Sequence, residues 1–124
     1  MKTNNLKERT LNFTSAIMEL VGKLPEKKAV NVVSDQILRS STSVGANYRA
    51  ACRSKSLRDF INKLKIVEEE ADETMYWLEV LEKRKLGYEN ELKRLIGEAN
   101  ELVAIFVTSI NTAKSNLSLQ SRQK

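Results

Sequence analysis

The sequence has 124 residues, with four glycines, one proline and 30% charged residues. A chain of this length corresponds to about one domain, and so few turn-forming residues argue against an all-β fold. Because 21 Lys and Arg outnumber 16 Asp and Glu, the net charge is +5, which favours a polyanion as partner. A solvated basic surface without a partner is the alternative. No stretch approaches the ~18 to 20 apolar residues that a membrane span needs.

The single cysteine, Cys52, cannot form a disulfide within one chain. We expect it to be a small buried thiol, because it lies next to an apolar row of the second predicted helix. Residues 1–5 lack the apolar core of a secretory signal. Together these features predict a reducing, cytoplasmic environment.

The first predicted helix extends from about Asn5 to Lys23. Its apolar residues recur every seven positions, as they do in helices that pack in a bundle. Gly22 and Pro25 end the pattern, because Gly tolerates left-handed geometry and the residue before Pro avoids the helical region. The two predicted core rows are Leu6, Phe13 and Leu20, and Thr10, Ile17 and Leu24.

The second predicted helix has polar residues within its apolar rows. These rows are Val30, Ile37, Val44 and Ala51, and Val33, Ser40 and Asn47. Ser40, Ser43 and Asn47 form a small polar patch that we interpret as structural, because polar residues in a seam fix the register of the helices. A ligand-binding or partner-specific role is the alternative. We predict that Ser40 and Asn47 are buried and hydrogen-bonded to the third helix or to a neighbouring subunit.

The third and fourth predicted helices follow the same seven-residue rule. The third begins at a capping motif headed by Ser56 and ends near Gly87. Its rows are Leu57, Leu64, Ala71 and Leu78, and Phe60, Val67, Thr74 and Leu81. The rows of the fourth are Leu92, Ala99, Phe106 and Ala113, and Ile96, Val103 and Ile110. The pattern stops at Lys114, so residues 1–114 are predicted to form the domain and residues 115–124 a disordered or frayed polar tail.

Short turns between the predicted helices make each one antiparallel to its predecessor. The predicted fold is therefore an all-α, up-down-up-down antiparallel four-helix bundle. The acidic run at residues 68–73 is a weak candidate for a metal site, since one helix offers few converging oxygen ligands. Ion pairing between helices accounts for the run better. We predict no metal site, and an inter-helix salt bridge from Arg39 to Glu69 or Glu70.

Further apolar residues flank the core rows of the first and fourth predicted helices. They are Leu11, Met18, Leu95, Leu102 and Ile105. Two such surfaces on one small domain fit a head-to-tail ring better than a two-fold dimer, so we predict an oligomer interface there. A broad core face is the alternative, because core-facing helices usually carry three apolar positions in every seven.

The sequence contains no histidine, which removes the usual general base and a common zinc ligand. The pair Gly22-Lys23 lacks the glycine-rich loop that cradles phosphates. We therefore predict no enzymatic activity and no cofactor.

Basic residues concentrate between residues 49 and 65, where Asp59 is the sole residue of opposite sign. They are Arg49, Arg53, Lys55, Arg58, Lys63 and Lys65. Such a turn attracts phosphates, so we predict contact with the backbone of RNA or DNA. Single-strand binders also display exposed aromatic rings, and only Tyr48 and Phe60 lie nearby. Reading of base sequence is not indicated.

Several segments resemble one known family. Residues 40–53, SSTSVGANYRAACR, are followed by DFINKL at 59–64, EEADET at 69–74 and WLE at 77–79. Over residues 6–110 the chain resembles the four-helix bundle proteins encoded in intervening sequences of bacterial 23S ribosomal RNA genes. The resemblance implies an up-down bundle that assembles into a ring-like homopentamer, with no established enzymatic activity. A related branch, the accessory variability proteins of diversity-generating retroelements, is thought to bind nucleic acid and a reverse transcriptase.

Two functions remain as alternatives. The first is a non-enzymatic homo-oligomer that associates with ribosomal RNA through its basic surface. The second is a structural or protein-interaction oligomer, such as an accessory protein that binds a reverse transcriptase or another partner protein. The acidic run at residues 68–73 slightly favours the second function, since it weakens a uniformly positive surface.

Overall fold

A computed structural model describes residues 5–122 of the chain. These residues form four helices and no strand: α1 (Leu6–Lys23), α2 (Lys28–Cys52), α3 (Leu57–Arg84) and α4 (Glu89–Arg122). The predicted all-α, four-helix class is confirmed. Residues 1–4 and 123–124, the outer ends of the predicted domain and tail, lie outside the described residues.

Each helix runs antiparallel to the one before it, because connections of about four residues leave room for a reversal and little else. The α2 and α3 helices pack along most of their lengths, as do α3 and α4. The α1 helix is the shortest and packs mainly on α2, with a small contact to α4. One end of the bundle therefore holds the α2–α3 turn and the end of α4, and the opposite end holds the other two turns.

Both predicted core rows of α1 are confirmed, since all six residues are buried. Thr10, the polar member, is 1% exposed and donates its hydroxyl to the carbonyl oxygen of Leu6 at 2.8 Å. Such a bond within the helix satisfies a buried hydroxyl. The predicted seven-residue rows are also buried in the middle of α3, where Leu64, Val67 and Ala71 are fully buried.

In α4 one of the two predicted core rows is confirmed, since Leu92, Ala99, Phe106 and Ala113 are buried, and the other is not. Leu95 and Leu102 are 3% and 0% exposed, within the protein's own core, whereas Ile96 and Val103 are half-buried. Placing Leu95 and Leu102 on an oligomer surface was therefore wrong. Because a helix has 3.6 residues per turn, the row that is buried beside the Leu92 row can lie either three or four positions after it. Both rows of α4 are apolar, so periodicity alone does not choose between them.

The end of α4 also differs from the prediction. The helix continues through Arg122, so the segment predicted as a frayed tail from Ser115 is helical as far as the structure describes it. Neither Gly nor Pro follows Gly97 to interrupt the helix. Leu117 also packs, partly buried, against the core, which ties an additional turn of α4 to the bundle.

The α2–α3 turn is fixed by a helix cap. The hydroxyl of Ser56 accepts a hydrogen bond from the backbone N–H of Asp59 at 3.0 Å, as the predicted capping motif requires. Because the first turn of α3 is held in this way, the basic side chains beside it project from a defined backbone.

Candidate nucleic-acid interface

The predicted basic residues lie where α2 ends and α3 begins, and we call them the basic turn: Arg49, Arg53, Lys55, Arg58, Lys63 and Lys65. All are exposed except Lys63, which is half-buried. Lys63 Nζ lies 2.7 Å from Asp59 Oδ2, one helical turn away. This ion pair holds the pKa of Asp59 below its ordinary value. The one carboxylate of the segment is thus neutralised by Lys63.

The segment that contains the basic turn has the same net charge as the whole chain. Residues 49–65 contain six Lys and Arg against one Asp, for a net charge of +5. The whole sequence is also +5, so the remaining residues contain fifteen charges of each sign. Within residues 5–122, five members of the basic turn form no ion pair, Lys63 being the exception. These five cations are available to an anionic partner.

Five of the fifteen acidic residues outside residues 49–65 form ion pairs between helices of the described chain. Arg9 of α1 binds Glu98 with Nε–Oε2 of 2.7 Å and Glu101 with Nη2–Oε1 of 2.7 Å. These carboxylates raise the pKa of Arg9 above its ordinary value, Glu98 having the larger effect. Lys23 pairs with Glu91 at 2.8 Å. Both interactions join α1 to α4, where the apolar contact is small.

Arg39 of α2 reaches the acidic run of α3. Its guanidinium binds Glu70 with Nη1–Oε1 of 3.3 Å, and it also binds Glu73. Arg39 and a hydrogen bond from Trp77 Nε1 hold the pKa of Glu73 below its ordinary value. Glu69, the alternative partner in the prediction, is exposed. Glu70 and Glu73 are three positions apart and share one helix face, which Glu69 leaves by about 100° of rotation.

The residues of the small polar patch of α2 differ in their burial and in their hydrogen-bond partners. Ser40 is 0% exposed, and its Oγ lies 2.7 Å from Thr74 Oγ1 on α3. Ser43 and Asn47 are half-buried, and Asn47 Nδ2 donates to the carbonyl oxygen of Ser43 at 2.9 Å. The prediction that Asn47 bonds to α3 was therefore wrong within the protomer: the amide is satisfied within α2.

Gly45 marks a close approach of α1 to α2. A Cβ atom added at Gly45 would lie 3.5 Å from Thr10 Oγ1, and Thr14 Oγ1 donates to the carbonyl oxygen of Ser41 at 2.8 Å. Small residues here let the two backbones come together. This geometry favours the structural interpretation of the patch.

We expect Thr74→Val to lower the free energy of unfolding by about 1 to 3 kcal/mol, because the buried Ser40 hydroxyl loses its partner across the α2–α3 interface. Urea denaturation at fixed protein concentration measures the loss. Thr42→Val is the matched control, since Thr42 is exposed and its hydroxyl bonds to its own helix at the Leu38 carbonyl. The control should change stability by less than about 0.5 kcal/mol. Equal losses in the two variants would contradict a structural role for the Ser40–Thr74 pair.

An apolar groove follows the outer side of α1 and α2. It has a volume of about 340 Å³. Its lining residues are Lys7, Thr10, Leu11, Thr14, Thr42, Gly45, Ala46 and Arg49. Leu11 is 61% exposed and Met18, two turns further along α1, is 57% exposed. We call Leu11 and Met18 the outer face of α1. Ile105, the remaining predicted interface residue, is half-buried against the core.

The prediction of a buried Cys52 was wrong, because the side chain is exposed. Ala51 occupies the core position at the end of α2 and is 1% exposed, which turns the next residue outwards. Tyr48, one turn earlier, packs its ring 5.8 Å from that of Phe106. Burial and contact with Cys52 raise the pKa of Tyr48 to about 12, so its hydroxyl stays neutral near pH 7.

Sequence reasoning missed the contribution of α4 to this end of the bundle. Lys114 and Arg122 are both exposed, and no Asp or Glu follows Glu101. The absence of acidic residues was visible in the sequence. The position of this part of α4 in the bundle was not visible, because the segment from Ser115 was predicted to be a frayed tail.

Among residues 5–122, no cluster of three or more His, Cys, Asp or Glu side chains is placed to hold a metal ion. Across the same residues, no helix combines the length and the apolar character that a membrane crossing requires.

Fold and surface together define a class: small antiparallel four-helix bundles with one basic end and an apolar outer face. The chain belongs to the 23S rRNA-intervening sequence protein family, whose model matches residues 2–108. It is similar to a crystal structure from Bacteroides thetaiotaomicron, described as a protein with unknown function from the S23 ribosomal protein family. The two are 38% identical with a TM-score of 0.77, over 84% of this chain and 96% of that chain. Among curated proteins, none matches this sequence.

Proposed function

We propose that this protein is a non-enzymatic, cytoplasmic homo-oligomer that associates with ribosomal RNA through the basic turn. The observation that carries the proposal is the placement of charge: residues 49–65 hold a net charge of +5, and the rest of the chain is balanced. A polyanion releases condensed counterions when its phosphates meet such a cluster, and this release drives association. The name of the family directs the proposal to ribosomal RNA.

The state of the side chains supports backbone contact. Arg49, Arg53, Lys55 and Arg58 are exposed, and within the described chain none of them is held by a carboxylate. Binding a phosphate therefore requires no internal ion pair to break. Arg is suited to this role because its guanidinium presents several donors in a fixed plane to phosphate oxygens.

The proposed assembly is a ring of five chains. The outer face of α1 supports association, because Leu11 and Met18 expose more than half of their surface, and the resemblance to the family supplies the number five. A cyclic ring repeats the basic turn once per subunit around its axis. Several weak phosphate sites on one particle bind a long polyanion far more tightly than one site does.

A protein-interaction oligomer is the second candidate, and the groove between α1 and α2 favours it. The groove of about 340 Å³ is lined by small and apolar side chains between Lys7 and Arg49. A helix from a partner protein, such as a reverse transcriptase, fits a groove of this character. Binding of such a partner depends on the groove, whereas binding of RNA depends on the basic turn.

Replacing Arg53, Lys55 and Arg58 together by Gln tests the proposed function. We expect weaker binding of ribosomal RNA fragments of every sequence, and a salt dependence flatter by about two to three units, from roughly 0.9 per duplex phosphate contact. Filter binding or fluorescence anisotropy at several salt concentrations measures both quantities.

The matched control replaces three exposed cations at the opposite end of the bundle by Gln: Lys28, Lys83 and Arg84. This variant has the same net charge as the test variant. The proposal predicts nearly normal binding for the control. Equal losses would mean that net charge alone, and not the basic turn, attracts RNA, and intact binding in both variants would remove the basic turn from the account.

A further inference from the structure

The α4 helix is longer than the fold requires. It spans 34 residues against 28 in α3 and 25 in α2. The matched family segment ends at residue 108, whereas α4 continues to Arg122. We call residues 109–122 the α4 extension. At a rise of 1.5 Å per residue it adds about 21 Å of helix.

The α4 extension is anchored at its base and free at its tip. Ile110 and Ala113 are buried, and Leu117 is partly buried against the core. From Ser118 to Arg122 every side chain is exposed, including that of Leu119. Since α4 runs antiparallel to α3, the extension reaches the end of the bundle at which α3 begins. It therefore lies at the same end as the basic turn.

The charge of α4 changes sign along its length. Its first half carries Glu89, Glu91, Glu98 and Glu101 against Lys93 and Arg94, and Glu98 and Glu101 pair with Arg9. The α4 extension contains no acidic residue, and its two charges are Lys114 and Arg122, both exposed. The remaining exposed positions are mostly Ser and Asn, whose side chains also donate hydrogen bonds to phosphate oxygens. A helix that only needed a solvated surface would mix charges of both signs.

Exposed aromatic rings lie away from this basic end. Tyr76 and Tyr88 are 56% and 40% exposed, towards and within the α3–α4 turn. At the basic end, Tyr48 and Phe60 are half-buried against the core, and Tyr48 packs on Phe106. Proteins that hold single strands place stacking rings among their cations. Among the described residues, this surface offers cations on rigid helices without such rings.

From these placements we propose that the α4 extension and the basic turn form one continuous surface for the phosphate backbone of a double-stranded nucleic acid. The inference rests on the proposed function and deepens it, because it names a duplex as the ligand and adds Lys114 and Arg122 to the site. In a duplex the bases are already stacked with one another and the phosphates face outwards. Cations on two helical segments contact such phosphates without any need to unstack a base.

The test compares Lys114→Gln/Arg122→Gln with Lys93→Gln/Arg94→Gln. Both pairs are exposed cations of α4, and the control pair lies near the start of the helix. Binding to a short RNA duplex, the DNA duplex of the same sequence and each single strand is measured from about 50 to 200 mM salt. The test variant should bind duplex on the order of tenfold more weakly, with a salt slope flatter by about two units. The control variant should bind like the intact protein.

The outcomes separate this inference from the proposed function. If Lys114→Gln/Arg122→Gln binds normally while substitution of Arg53, Lys55 and Arg58 weakens binding, the α4 extension is not part of the site and the proposed function stands. Tighter binding of single strands than of duplex overturns the duplex assignment. If the intact protein binds no nucleic acid, both proposals fail. Preference for the RNA duplex identifies RNA as the ligand, and equal affinity for the two duplexes identifies a backbone of either kind.

Discussion

In size-exclusion chromatography with light scattering, the intact protein should have a mass close to five times the 14.1 kDa of one chain. The double variant Leu11→Glu/Met18→Glu should have the mass of a single chain. These two side chains expose 61% and 57% of their surface in the protomer. Burying the exposed part of each in an interface gains roughly 1 to 2 kcal/mol, and two buried carboxylates per contact impose a desolvation penalty instead.

Ile66→Glu is the control for the assembly experiment. Ile66 is 43% exposed and lies on α3, away from the outer face of α1. Its substitution adds a carboxylate to an exposed apolar position outside the outer face of α1, so the assembly should survive. An intact protein with the mass of one chain contradicts the assembly, and a dimer or tetramer leaves association standing but contradicts the ring of five.

Phe106→Ala should lower the free energy of unfolding by about 3 to 5 kcal/mol, the usual cost of removing a fully buried Phe. Phe106 is 0% exposed and packs against Tyr48, with ring centroids 5.8 Å apart. The substitution removes that contact and leaves a cavity beneath the end of α2. Urea denaturation gives the value, with all variants at one protein concentration because assembly shifts apparent stability.

The neighbouring variant Val107→Ala serves as the control, since Val107 is 39% exposed. It shortens an apolar side chain in the same turn of α4 but opens no cavity, so the loss should stay below about 1 kcal/mol. Similar losses at the two positions would contradict the orientation of α4 described above.

The sequence was informative about the core of α1. Its two predicted rows had apolar residues at five of six positions, and all six positions are buried. The neighbouring apolar residues Leu11 and Met18 stay exposed, as the prediction required. The cap at Ser56 was predictable for a different, local reason: a hydroxyl before the first turn of a helix accepts a hydrogen bond from the backbone N–H three residues on.

In α4, periodicity was not sufficient. Leu95 and Ile96 are adjacent and both apolar, as are Leu102 and Val103, so a rotation of about 100° exchanges one row for the other. The contact with α1 selects Leu95, which lies beside Phe13 between α1 and α4. That choice depends on packing between distant parts of the chain, which a local pattern does not contain.

The sequence predicted the cations of the basic turn, but it did not predict which distant residues lie at the same end of the bundle. The six cations between Arg49 and Lys65 were visible as a run of one sign. Lys114 lies 49 residues after Lys65 and Arg122 lies further on, and only the antiparallel topology places them at the same end. The prediction that Cys52 is buried was wrong for a local reason, because a shift of one residue along a helix turns a side chain from the core to the surface.

Binding of the intact protein to a 23S ribosomal RNA fragment, measured against salt concentration, tests the central claim most directly. The account predicts tight binding at about 50 mM salt and a steep linear fall of log K with log salt up to about 200 mM, as several phosphate contacts release counterions. Each free cation of the basic turn contributes to that slope. Failure to bind at the lowest salt, or an affinity that does not change with salt, would contradict a function based on the phosphate backbone.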